Sequence, residues 1–212
     1  MLERVLVFAD KTQGSYMNRS NFETLVRDAQ KRVLARVRGK ALPPPLQGGV
    51  FDQPMGVFVT LKVRGALRGC IGLIEAVRPV GRAVAEMAEA ALEDPRFVGQ
   101  RIRPEELEDL EVEVTLLGPP ERIQGPQDLV LGRDGVVCTY QGRKGVFLPQ
   151  VAPEQGWNQQ QFVEFCFSHK MGLPADTWKL PGAGLYRFRG EKLSTADLGE
   201  GSGEEVSGEG SR

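Results

Sequence analysis

The sequence predicts an α+β fold, an antiparallel β-sheet flanked by helices, and three observations predict it. Leu110–Leu117 alternates strictly, with Leu110, Val112, Val114 and Leu116 on one face and Glu111, Glu113 and Thr115 on the other, the period of a half-buried strand. Gly56–Val63 and Ala66–Ile74 are apolar runs joined closely enough to form an antiparallel hairpin. Helical periodicity appears elsewhere without the regular strand–helix–strand alternation of a parallel sheet.

Phe22, Leu25, Val26, Ala29, Val33, Leu34 and Val37 recur at helical spacing, which predicts a first helix ended by Gly39. Ser20 and Glu23 have the spacing of a capping box at its start. Pro43–Pro45 predicts a stiff extended connection. In the hairpin, a two-residue turn would force Arg64 to positive φ, so a three-residue loop Val63–Gly65 is expected. That register pairs Thr60 with Arg68 and Phe58 with Cys70, and sets Thr60, Arg68 and Cys70 on one face. A second helix is expected over Pro79–Leu92, with Val80, Ala83, Val84, Met87, Ala88 and Ala91 as its apolar side. Shorter strands are expected within Leu129–Leu148, a loop over Pro149–Gly156, a helix from Asn158 to about Met171, and a last strand at Leu185–Phe188. Residues 191–212, an acidic tail rich in Gly, Ser and Glu, are expected to stay disordered because they bury too little apolar surface. Residues 1–19 read as a leader.

With 212 residues, a 41% hydrophobic content and a formal net charge of −1, the chain suits one domain with a substantial core. The charge argues against a nucleic-acid partner. Cys70, Cys138 and Cys166 are odd in number and widely spaced, so neither a disulfide framework nor a zinc site is expected. With His169 the sole histidine, no metal site is expected. Met1–Asp10 lacks a signal-peptide pattern, and no apolar run approaches the roughly 20 residues of a membrane span. A cytoplasmic location follows as the expectation.

The densest chemistry lies in Leu67-Arg68-Gly69-Cys70-Ile71-Gly72. Cys70 reads either as a nucleophilic or redox thiol activated by Arg68, or as a buried inert cysteine. Gly69 and Gly72 would let a ligand approach the backbone. Arg68 offers a fork of donors to a carboxylate or phosphate, or an ion pair with Asp94 or a strand glutamate. Asp94 and Arg96 flank Pro95 at a helix exit. They read either as a turn locked by a salt bridge, or with Asp94 orienting Arg68 or accepting the thiol proton.

Taken in order, these segments resemble the AMMECR domain family, most closely its bacterial AmmeMemoRadiSam-system branch. The matching pieces are Gly56–Leu61, Leu67–Gly72, Asp94-Pro95-Arg96-Phe97, Leu110–Leu117, Phe147–Ala152, Gly156-Trp157 and Lys170–Pro174, spanning residues 20–190. The resemblance implies a two-lobed α+β domain working with a Memo-like protein and a radical SAM protein. No cofactor is expected in this chain. The iron–sulfur cluster and SAM would belong to the partner, because clustered cysteines are lacking here. The resemblance carries no agreed reaction; the residues themselves are read as an enzyme or enzyme component acting on a small molecule, with Cys70, Arg68 and Asp94 catalytic and Thr60, Gly69, Gly72 and Arg96 contacting substrate. The alternative is a non-catalytic scaffold of the same system, with Cys70 structural. Many relatives carry histidine where this chain has Asp134, so a mechanism needing that histidine is not expected to operate.

Overall fold

A computed structural model describes residues 16–198. The leader up to Ser15 and the tail from Gly199 lie outside the described residues. Helix α1 (Arg19–Val37) leads through the proline-rich segment to strands β1 (Gly56–Val63) and β2 (Ala66–Leu73), then helix α2 (Val80–Leu92). Strands β3 (Leu110–Leu117), β4 (Glu121–Arg122), β5 (Asp134–Tyr140) and β6 (Arg143–Phe147) follow. Helices α3 (Val151–Gln155) and α4 (Gln159–Phe165) and the long strand β7 (Gly184–Ser194) complete the domain. All pairings are antiparallel, in the order β2-β1-β3-β7-β5-β6, with β4 following β3 along the same edge of β7.

Strand alternation sorts the side chains onto two faces. Val57, Val59, Leu61, Val112, Val114, Leu116 and Leu193 pack under α1 and α2 in the first lobe. Val136, Cys138, Phe147 and Leu185 pack under α4 in the second. Both sets lie on one face, because Leu185 and Leu193 share a parity along β7. The opposite face is the inside of a curl. There Leu117, Val137 and Phe188 gather Phe58, Val146, Leu148 and Tyr186 into a small apolar cluster. An ion pair of 2.8 Å between Lys144 on β6 and Glu75, just past β2, joins the two edge strands across this inner side. The curl therefore brings the ends of the sheet together.

Several local expectations are corrected. The hairpin turn is two residues long, with Arg64 at φ 52° and Gly65 at φ 76°. The strain on Arg64 is offset by Asp109, whose carbonyl accepts the Arg64 N–H and whose carboxylate takes Nε at 2.7 Å. A bulge then leaves Arg68 unpaired and aligns Thr60 with Cys70 and Phe58 with Gly72. Asn18, not Ser20, caps α1, accepting the Asn21 N–H at 2.8 Å. The Glu23 carboxylate goes to Arg19 instead. The segment Pro149–Gly156, read as a loop, contains α3. The helix from Asn158 gives way to a π-helical turn at Cys166–Lys170. β7 runs beyond Phe188 to Ser194 and a 3-10 turn at Thr195–Asp197, so part of the stretch assigned to the tail is strand. Its backbone pairs with β3 there, which supplies the order its composition does not.

The capping geometry makes a direct prediction. Asn18→Ala should cost about 1 kcal/mol, whereas Ser20→Ala should stay within about 0.5 kcal/mol. Urea midpoints at constant m distinguish the two.

Candidate functional site

The site is built around the outer edge of β2. Gly69 faces the helix layer, where a Cβ would lie 1.9 Å from the Ala91 carbonyl oxygen. The end of α2 therefore rests directly on the strand backbone. Gly72 faces the inside of the curl, and a Cβ there would meet the Phe58 ring at 2.3 Å. The space each glycine creates is taken by α2 and by Phe58, not by room for a ligand against the backbone as the sequence suggests.

Asp94 leaves α2 and caps the 3-10 turn Pro95–Gln100, accepting the Arg96 N–H at 3.0 Å. Its carboxylate is wholly buried. It also takes the Cys70 backbone N–H at 2.9 Å and the Arg96 guanidinium through Nη2 at 2.7 Å and Nε at 3.1 Å. Arg96 Nη2 donates in turn to the Cys70 carbonyl at 2.9 Å. Two side chains thus act as a substitute strand for one residue of the sheet edge. The Arg96 hydrogen bond, helped by the Cys70 and Arg96 backbone amides and opposed by burial, holds the Asp94 carboxyl far below the usual carboxylate range. A carboxylate so depressed and so fully occupied is a poor proton acceptor for a thiol.

Arg68 does not meet Asp94. It donates to Glu106 at 2.8 Å and to the Gln100 carbonyl at 3.1 Å, pinning the segment that enters β3. The cation beside the thiol is Arg96. Its ionised form is favoured first by Asp94 and, to a lesser extent, by the Cys70 side chain. Over half of the Arg96 side chain is exposed, at 59%. Thr60, opposite Cys70 in the register, donates its hydroxyl to Sγ at 3.3 Å. Cys70 itself is half-buried, whereas Cys138 and Cys166 are buried. The structure thus gathers Cys70, Thr60, Asp94 and Arg96, and leaves Arg68 in a separate ion pair.

The surroundings add residues that the motif did not reveal. The row across the inner face runs Cys70, Thr60, Glu113, Ser194. Lys62 reaches Glu113 at 3.3 Å and Glu111 at 3.5 Å, and Lys192 approaches Glu113 at 3.8 Å. The alternation of β3 signals that Glu111 and Glu113 share a face. Only the β3–β7 pairing could reveal Lys192. His169 stacks on Phe165 at 4.8 Å in the second lobe, and Trp157 packs against Phe147 and Phe165 there. Asp134 is fully buried and clasped by Arg133 and Arg189, both at about 3 Å, and by the Val130 N–H. This carboxylate joins two arginines where a histidine would not. Among the described residues, no three His, Cys, Asp or Glu side chains come together to hold a metal. No described helix is long and apolar enough to cross a membrane.

These features define a class: an α+β domain with helices outside a curled antiparallel sheet, and a thiol on the inner side of its edge hairpin. The family model AMMECR1 matches residues 23–193. A protein of Methanothermobacter thermautotrophicus is 40% identical over 186 residues, covering 82% of this chain and 94% of its own. Protein TK0174 of Thermococcus kodakarensis is 40% identical over 80% of this chain and 87% of its own. The crystal structure of the uncharacterized protein PH0010 from Pyrococcus horikoshii matches with a TM-score of 0.64 at 34% identity, covering 84% of this chain and 93% of that one. The chain belongs to the AMMECR1 family.

Two predictions follow from the edge clamp. Gly69→Ala should destabilise by about 3 kcal/mol or more, because the added methyl meets backbone and not a movable side chain. Asp94→Asn should cost about 2–3 kcal/mol at neutral pH through lost charge-assisted hydrogen bonds. The folded-state pKa of Asp94 lies below its unfolded value of about 3.9, so the wild-type advantage is fully present above that value and is lost as pH falls through the folded pKa. Unfolding of both proteins between about pH 2 and 7 should show a constant gap that closes only below about pH 4.

Proposed function

We propose that this protein is an enzyme, or the thiol-bearing component of one, acting on a small molecule at the loop Leu67–Gly72. Cys70 is the nucleophile or redox thiol. Thr60 holds its sulfur, Arg96 offers the cation and anion clamp in place of Arg68, and Asp94 positions both Arg96 and the Cys70 backbone. The reading rests on one observation: Cys70 is the half-buried cysteine of the three, its sulfur accepts from Thr60, and its carbonyl carries the largely exposed guanidinium of Arg96. A nucleophilic thiol needs access together with a neighbouring donor or cation. The family resemblance supports placing this chain in a cytoplasmic system with a Memo-like protein and a radical SAM protein, in which the iron–sulfur cluster and SAM belong to the partner.

A specific observation favours the scaffold reading as the alternative. Gly69, Gly72, Arg68 and Asp94 each have a structural occupation that needs no substrate.

Alkylation of the folded protein by iodoacetamide, resolved by mass spectrometry, separates the two. Cys70 should react while Cys138 and Cys166 stay protected, and Thr60→Val should change the Cys70 rate by about fivefold, the worth of one hydrogen bond. Cys70→Ser should remain folded and abolish formation of the system's product in cells. An unreactive Cys70 short of unfolding, with full product from Cys70→Ser, would leave the scaffold.

A further inference from the structure

Outside the proposed site lie the Asp134–arginine clasp, the cleft beside Arg32 between the proline-rich segment and α2, and the two cysteines of the second lobe. The clasp is fully satisfied internally. The cleft, of about 470 Å³, mixes Arg32 and Arg82 with Asp52, Glu86 and Glu89, and Arg32 is already engaged by Glu89 and the Pro43 carbonyl. The cysteines carry an inference.

Cys138 lies on β5 directly opposite Gly145 on β6. Cross-strand partners project to the same face, with their Cβ positions about 5 Å apart. On that face, a Cβ at Gly145 would lie 3.0 Å from Cys166 Sγ. The missing side chain of Gly145 is what lets the end of α4 bring Cys166 down beside Cys138. Both cysteines are fully buried, at 0% exposure. Cys166 is also the residue at which α4 changes to a π-helical turn.

We propose that Cys138 and Cys166 are a dithiol site that closes to a disulfide when a disulfide oxidant is present, stapling β5 to the end of α4. A low-molecular-weight disulfide supplies the oxidation. A thiolate of the pair attacks one of its sulfurs to give a mixed disulfide and release one thiol. The second cysteine then attacks the protein sulfur, forming the S–S bond and releasing the second thiol. Two protein thiols are oxidised, one disulfide is reduced, and the two protons appear on the released thiols. The bridge encloses β6, α3 and α4, so it restricts the unfolded chain over a long loop. The neighbouring Cys166 thiol, together with burial, pushes the Cys138 thiol up, so the closed lobe protects the pair and reaction proceeds through local opening. The site is independent of Cys70.

The test refolds the full chain carrying Cys70→Ser in reduced and oxidised glutathione, so that equilibrium and not access decides the outcome. Peptide mapping should find Cys138 joined to Cys166, with an intact mass lower by two hydrogens. The thermal midpoint should rise by roughly 5–10 °C relative to the reduced protein. The wild-type chain incubated folded with oxidised glutathione just below its unfolding temperature gives a second measurement without refolding or substitution, and should form the same bridge. Free thiols, glutathione adducts on either cysteine, or a bridge that lowers the midpoint would overturn the proposal.

Discussion

A buried carboxylate must be paired, and the rest of the site follows from how Asp94 meets that requirement. Its two oxygens take the guanidinium of Arg96 and the backbone amides of Cys70 and Arg96. Leaving such a charge unpaired inside the protein would cost several kcal/mol. The exit of α2, the turn after it and the outer edge of β2 are therefore one unit. An edge strand otherwise presents bare N–H and C=O groups to any passing chain. Here one residue of that edge is closed on both sides, its N–H by Asp94 and its C=O by Arg96, and that residue is Cys70. The thiol is thus mounted on backbone that cannot shift without breaking two charge-assisted hydrogen bonds.

The glycines set the distances that make the clamp possible. With the end of α2 resting on Gly69, Asp94 leaves the helix within hydrogen-bond reach of the next strand residue. On the other side of the sheet, Phe58 lies against Gly72 and joins the apolar cluster inside the curl. The motif alternates accordingly, with Gly69 toward the helices, Cys70 toward the inner face and Ile71 toward the helices again. Replacing either glycine would move the elements that flank the thiol before it touched the thiol itself.

The parts legible in the sequence were those fixed by local periodicity. The apolar stripes of α1 and α2, the alternation of β3, and the start of α4 after Asn158 all depend on residues within a few positions. The hairpin register was not legible, because the carboxylate that holds Arg64 at positive φ belongs to Asp109, 45 residues away. Once that turn is held, the bulge at Arg68 follows and moves Cys70 from Phe58 to Thr60. Arg68 likewise finds Glu106, 38 residues on, and not Asp94. The Asp94–Arg96 pair, two residues apart, could be read directly as one of two alternatives. Asn18 and Ser20 are both good capping residues, so composition did not choose between them. The inner row of Glu113 and Lys192 required knowing that β7 lies beside β3.

The three cysteines show how the same side chain is assigned by its face. β7 passes through both lobes, and its alternation keeps one side under the helices and the other inside the curl. Cys138 falls on the helix side, between β5 and α4, where close packing and the absence of a side chain at Gly145 bring a second sulfur to it. Cys70 falls on the inner side, where its neighbour across the strand is a hydroxyl and the cation at its edge is largely exposed. A register shifted by one residue would exchange these environments, turning Cys70 into the helix layer and Gly69 outward. The close contact between Gly69 and the end of α2 forbids that shift, since any side chain there would strike the Ala91 carbonyl. The contact that packs the first lobe is therefore also the one that keeps the thiol on the inner face of the sheet.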